Sequence, residues 1–308
     1  MIDGIEIGDR IRTCQNEVFK AILRGETCIL RLTDPGHRSL ESIEEEVKLL
    51  RNLGSDTEIA AKPVTFPSGK FVESTKYEGK LYGAALFSFI EGTSADIASF
   101  ALASNFGALL AKLHTALSEL NGSYDLPEMH NSSGEKQLIH GDFNRTNVIT
   151  RQGSFRIIDF ENACYSTCEY ELANSIYMTL FDARHKPVAL LDSRFINGFL
   201  EGYTRDKCVD LEAVRSEIDR RVSILGGWID DLSSAPLSIS SASASWKIEL
   251  NDFFHEYQGG AYEEILSDIS SSNRALTDTR GVRTPVRTGA FGSKGYEFKT
   301  KFDANHRH

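Results

Sequence analysis

The sequence predicts an α+β chain in two unequal parts, strands first and helices after. Three observations carry this. Short apolar and β-branched runs, separated by Gly, Pro and charged turns, fill residues 1–90 and are interrupted by one helical stripe. From Ser94 onward apolar residues recur mainly at helical spacing. Between these helices the stretch Leu138 to Asn162, LIHGDFNRTNVITRQGSFRIIDFEN, returns to short strands and sets polar residues at their ends.

The elements follow in order. Residues 1–35 read as strands, with Glu17–Leu23 and Thr27–Leu32 flanking a hairpin turn at Arg24-Gly25-Glu26. Ser39 opens an amphipathic helix over 39–53, whose stripe is Leu40, Ile43, Val47 and Leu50, ending near Gly54. Strands at 61–64, 71–74 and 82–90 are punctuated by Pro63 and by Pro67-Ser68-Gly69-Lys70, giving a five-stranded antiparallel sheet. Phe106, Leu109, Leu110, Leu113 and Leu117 form the next helical stripe, and His114 beside it reads as a hydrogen-bonded core histidine. Residues 121–136 are a polar loop. After the central stretch come a loop over 162–171 and helices at 172–181, 187–203, 209–225 and 246–257. The serine-rich stretch Ser233–Ser245 reads as a surface loop, and a last helix ends near Ser271. Residues 272–308 hold eight Lys/Arg against three Asp/Glu with few aliphatics, and read as a basic tail, either flexible or laid on the surface. The expected division is 1–90, 91–271 and 272–308.

Composition narrows the function. A chain of 308 residues, 41% hydrophobic and 25% charged, has the make-up of a soluble globular protein with room for two cores. No apolar run approaches a membrane span, and MIDGIEIGDR lacks the regions of a signal peptide, so a cytoplasmic protein without a membrane partner is expected. Cysteines at 14, 28, 164, 168 and 208 have no trustworthy zinc spacing and read as reduced thiols. A net charge of −10 argues against a nucleic-acid partner. The tail's basic residues are dispersed among Gly and Thr, which disfavours a nucleic-acid arm. The oligomeric state is not legible.

The chemistry lies in the central stretch. Asp142 and Asn147 are five apart in H-x-D-x-x-x-x-N, and Asp159 closes the next apolar run. Phosphoryl transfer needs cations to neutralise phosphate oxygens and a carboxylate to orient the nucleophile. These residues supply two hard oxygen ligands and one base.

HGDFNRTN at 140–147 and IIDFE at 157–161, with FGALLAKLH at 106–114 and CEYELAN at 168–174, resemble the aminoglycoside phosphotransferase (APH) family of small-molecule kinases, choline kinase included. His-Gly-Asp in place of His-Arg-Asp, and Asp159 without a following Phe-Gly, fit that family better than a protein kinase. The resemblance implies a bilobal protein-kinase-like fold, with an antiparallel β N-lobe carrying one helix and a mainly helical C-lobe. It further implies a phosphotransferase moving the γ-phosphate of ATP or GTP, with Mg²⁺, to a hydroxyl of a small molecule. Asp142 would orient the hydroxyl, His140 brace the loop, and Asn147 and Asp159 hold the metal. Arg31, in place of the usual Lys, would grip phosphates and be aimed by Glu46, while the backbone of Ser88, Phe89 and Ile90 would take the base. Asn144 and Arg145 lie in the loop as further candidates for phosphate or substrate. No Gly-rich loop precedes the second strand, and Cys14-Gln15-Asn16-Glu17 stands in its place. Glu171 stands where the family usually has Asp, and a structural role is expected for it. The family's acceptor pocket lies among C-terminal helices, which makes Asp230, Asp231, Trp246, Glu249 and Asp252 candidate acceptor residues. An aminoglycoside-type acceptor and a metabolic one such as choline, homoserine or a sugar derivative share these motifs. A non-catalytic nucleotide-binding regulator is disfavoured by the retention of Asp142, Asn147 and Asp159 together.

Overall fold

The structure, a computed structural model, describes residues 2, 4–13, 16–53, 58–95, 97, 99–120, 123–129, 134–183, 193–240, 242–267 and 269. The tail 272–308, together with Cys14 and Gln15, lies outside them.

The N-terminal region is an antiparallel sheet built on hairpins. Strands β1 (Ile5–Thr13), β2 (Asn16–Leu23) and β3 (Glu26–Thr33) are followed by helix α1 (Leu40–Leu53) and by β4 (Pro63–Val64), β5 (Val72–Tyr77) and β6 (Lys80–Ser88). The order is β1-β2-β3-β6-β4, with β5 also on β6. Along the free side of β6, β5 pairs with residues 80–85 and β4 with residues 86–87. The sheet therefore has six strands in five positions, where five strands were expected. β4 falls within the strand expected at 61–64; the additional one is β1, which the sequence left without bounds inside the strand region 1–35. Arg24-Gly25 turns β2 into β3 with φ 53° and 83°, the positive pair that a two-residue hairpin of right-handed twist demands.

Alternation along β3 decides what reaches the interlobe side. Cys28, Leu30 and Leu32 pack with Phe19, Ala21, Leu23, Phe66, Ala84 and Leu86 on one face. Ile29 and Arg31 must then take the other face, along with Val18, Lys20 and Phe87. Helix α1 covers that face, capped by the Ser39 hydroxyl, which accepts from Ser42 N at 3.2 Å. Its buried residues Ile43, Glu46, Val47, Leu50 and Leu53 follow the 3.6 period, with one carboxylate among the apolar side chains.

The C-terminal region is mainly helical. It contains β7 (Thr93–Ser94), α2 (Phe100–Ser118), β8 (Gln137–Ile139), β9 (Val148–Arg151), β10 (Ser154–Ile157), β11 (Cys164–Ser166), α3 (Cys168–Ala183), α4 (Ser193–Thr204), α5 (Leu211–Asp230), α6 (Leu237–Ser240) and α7 (Ala244–Gln258). The stretch expected as a loop at 162–171 instead holds β11 and the first turn of α3, because Cys164–Ser166 pair antiparallel with β8. The serine-rich stretch holds the short helix α6. Of the helix expected at 187–203, residues 187–192 lie outside the described ones. The core of α2, α3, α4 and α5 runs without interruption into that of α1. Ile157 also bonds both ways across the lobes, accepting from Ala61 N at 2.9 Å and donating to Ile59 O at 2.7 Å. Among the described residues no helix is long and apolar enough to cross a membrane.

Candidate active site

Between sheet and helices lies a cleft of about 730 Å³, lined from above by Asn16, Lys20, Arg31 and Glu46 and from below by Asp142, Asn144, Asn147 and Asp159. Of the expected site residues, Arg31, Glu46, Ser88, Phe89, Ile90, Asp142, Asn144, Asn147 and Asp159 line it, whereas His140 sits beneath and Arg145 lies outside the lining.

The central stretch folds as a rigid loop. Gly141 takes φ 80°, and a Cβ there would stand 2.0 Å from the Asn162 carbonyl oxygen, so only glycine fits between His140 and Asp142. His140 is fully buried; its Nδ1 accepts from Asp142 N at 3.2 Å and its Nε2 donates to Ile158 O at 3.0 Å. That pairing requires the Nε2–H tautomer and ties the Asp142 segment to the Asp159 segment. Phe143 fills the core against Phe106, with ring centroids 4.6 Å apart. Glu171, also fully buried, accepts from His140 N at 3.0 Å and Gly141 N at 2.6 Å, and pairs with His114 at 2.9 Å. The structural role expected of Glu171 and the core role expected of His114 are both met in this one contact. Burial works against a charge on His114, but bonds to Cys168 and Glu171 outweigh it and raise its pKa to about 9.

Asp142 is held by amides. Asn147 Nδ2 donates to its Oδ2 at 2.9 Å and to its carbonyl oxygen at 2.9 Å, and Asn144 Nδ2 donates to its Oδ1 at 3.0 Å. Burial pushes the Asp142 carboxyl upward, against the pull of His140 and the amides. Because Asn147 spends its nitrogen on Asp142, its amide oxygen is left to face elsewhere in the cleft. Arg145 pairs with Asp182 at 3.0 Å rather than reaching Asp142 or Asp159.

Asp159 sits at φ 64°, a left-handed conformation costly for a non-glycine residue and retained where surroundings enforce it. Its carboxylate faces Arg12 at 3.2 Å and Arg31 at 3.6 Å. Arg31 is 5% exposed and forks onto Glu46 at 2.9 and 2.6 Å, while Arg38 adds a third bond to the same carboxylate at 2.6 Å. Burial alone would raise the Glu46 carboxyl, yet the two guanidinium groups hold it below its ordinary value. Ser88 closes the ladder of β6, its N donating to Lys62 O at 2.8 Å; Phe89 and Ile90 continue past the last paired residue along the cleft wall.

Four side chains of the site escaped the sequence reading as site residues. Arg12 and Arg38 reach in from positions that alternation alone cannot assign. Asn16 donates to Glu161 at 2.5 Å and accepts from Thr33 at 2.7 Å. Glu161 has its carboxyl raised by burial and by the neighbouring Asp159. Its place two residues after Asp159 was the one available signal. The candidate acceptor residues from the C-terminal helices do not line the cleft. Asp231 receives the Ser233 N–H and hydroxyl at the end of α5, and Trp246 packs edge-on against Phe181.

The fold is kinase-like, and it brings the ordered motifs together in one cleft. The model of APH, the phosphotransferase enzyme family, matches residues 123–211, the segment that carries both HGDFNRTN and IIDFE. The APH resemblance is thereby borne out. Among solved structures the chain is similar to amicoumacin kinase in complex with AMP-PNP, Ca²⁺ and Ami, with TM-score 0.67 and 19% identity over 82% of this chain and 87% of that one. It is also similar to a microcompartment-associated aminopropanol kinase, with TM-score 0.61 and 15% identity over 84% and 94%. A choline kinase from Cryptosporidium parvum follows at 0.53 and 13% over 86% and 91%. At these identities the likeness is one of fold. No curated protein matches the chain by sequence.

Proposed function

We propose that the protein transfers the γ-phosphate of ATP or GTP to a hydroxyl of a small molecule, with Asp142 orienting that hydroxyl. The observation that carries this is the cleft in which Arg31, aimed by buried Glu46, faces Asp159 while Asp142 lies below, held by Asn144 and Asn147. On this reading residues 1–90 form the nucleotide lobe and 91–271 the catalytic and acceptor lobe. Arg31 grips phosphate oxygens, and the peptide groups of Ser88, Phe89 and Ile90 take the base. His140 holds the loop without touching substrate.

The donor set fits Mg²⁺. Asn147 presents an amide oxygen freed by the bonds of its nitrogen, and Asp159 a carboxylate aimed at the same cleft. Among the described residues no three His, Cys, Asp or Glu side chains gather to hold a metal; an ion such as Mg²⁺ would take its other ligands from water and phosphate. When bound, Mg²⁺ supplies neutralisation of phosphate charge. Arg12 covers Asp159 otherwise.

The test is Mg²⁺-dependent release of ADP or GDP across a panel of acceptors: aminoglycosides, choline, aminopropanol, homoserine and sugar amines. Two similar folds act, by name, on an amino alcohol and on choline, which supports placing amine-bearing alcohols beside the aminoglycosides at the head of the panel. Acceptor-stimulated turnover supports the reading. Absence of nucleotide binding would overturn it.

A further inference from the structure

Helix α3 presents a polar face to the loop, with one contact for each successive residue. Glu171 holds the N–H groups of His140 and Gly141 at 3.0 and 2.6 Å. Ser175 Oγ lies 2.6 Å from the carbonyl oxygen of Phe143. Between them in register, Asn174 Nδ2 meets Asp142 Oδ1 at 3.4 Å, a long contact. Residues 171, 174 and 175 share one side of a helix, so a single rigid element fixes 140, 141, 142 and 143 together.

Asn174 is the unexpected member. It is fully buried, and its Oδ1 has no hydrogen-bond partner among the described residues. A buried amide oxygen without a partner loses its hydration and gains nothing in return. Turning the amide over would set its oxygen against the Asp142 carboxylate, which is worse. The side chain therefore keeps an unpaired oxygen in order to keep a donor on Asp142.

Counting lone pairs shows what that donor does. A carboxylate offers about four acceptor positions, two on each oxygen. Asn144 and Asn174 both donate to Oδ1, and Asn147 donates to Oδ2. Oδ1 is filled, and one position on Oδ2 is left open. We propose that Asn174 is a positioning residue for the phosphoryl transfer: it fills the second acceptor position of Oδ1 and fixes the carboxylate rotation, so that the nucleophile's O–H finds its only acceptor on Oδ2. This rests on the function proposed above.

The test compares wild type with Asn174→Leu, which keeps the branched shape, with bulkier methyl groups, but removes both donor and orphan acceptor. Water serves as nucleophile in MgATP hydrolysis, and the best acceptor of the panel serves where one is found. The expected result is a kcat lower by roughly 10- to 100-fold, with KM for ATP within about twofold and a melting temperature unchanged or higher. A side chain that merely supported the fold would lower the melting temperature and disturb KM as well, and that outcome overturns the proposal. Unchanged kcat overturns it too, while leaving the kinase reading standing. Should Asn174→Leu fail to fold, Asn174→Ser carries the same test, its hydroxyl being too short to reach Asp142. Wild type without hydrolysis or transfer would sink both the proposal and the reading beneath it.

Discussion

A Cβ on Gly141 would stand 2.0 Å from the Asn162 carbonyl oxygen, so the residue before Asp142 and the residue three after Asp159 touch backbone to backbone. The two halves of the site are locked at that contact. Gly141→Ala must push them apart and also strain a φ of 80°, which alone costs about 1–3 kcal/mol. Loss of phosphoryl transfer and a lowered urea midpoint are expected, with nucleotide affinity less affected. Denaturation and nucleotide titration of the variant check this.

The Arg31–Glu46 pair is expected to matter for stability and for nucleotide binding. Glu46 is 1% exposed and takes bonds from Arg31 and Arg38, so Glu46→Ala leaves two guanidinium groups without their carboxylate. Breaking such a buried pair costs about 3–5 kcal/mol. The gentler Glu46→Gln keeps the shape, and its KM for ATP is expected to rise more than its kcat falls. Steady-state kinetics on the folded variant decides between this and a purely structural pair.

His114 sets an alkaline limit. Its pKa rises from 6.5 in the ordinary state to about 9 when folded, so its contribution is complete below about pH 6.5 and is lost as pH climbs through about 9. Melting temperature followed from pH 6 to 10 is expected to fall over that range. His114→Gln should be less stable at pH 6 and flatter across the window; an identical slope in the variant would place the loss elsewhere.

Arg12 is half exposed, and its bond to Asp159 is worth about 0–1 kcal/mol at most. Arg12→Ala is accordingly expected to leave stability alone. It uncovers a carboxylate proposed for metal binding, so Mn²⁺ without nucleotide should bind the variant more tightly, by a few-fold. Calorimetric titration of wild type and variant measures this directly.

Much of this was legible because it is local. The spacing of Asp142, Asn147 and Asp159 survives in any one-dimensional reading, and Arg24-Gly25 marks a hairpin by composition alone. Arg31 was placed by the resemblance, on a strand that its apolar neighbours Ile29, Leu30 and Leu32 mark as buried. The reach of Arg12 across the cleft and the bond from Asn16 to Glu161 were not legible, since each joins residues more than a hundred positions apart, and the positive φ of Asp159 has no signal in its residue type. Asn174 sat within a quoted motif, but a helix position becomes meaningful only once its neighbour across the loop is known. The candidate acceptor residues do not line the cleft, and helix faces far from the motif carry no local signal of what they point toward.

The contacts on Asp142 have a kinetic consequence. Asn144, Asn147, Asn174 and the backbone clasp of Glu171 all belong to the helical region, whereas Arg31, Glu46 and Arg12 belong to the sheet. Swinging the sheet away would part Arg31 and Arg12 from Asp159 without disturbing the carboxylate meant for the acceptor. On the proposed function, spent nucleotide would then be exchanged while the acceptor half of the reaction stays assembled, and kinetics with no fixed order of substrates are expected.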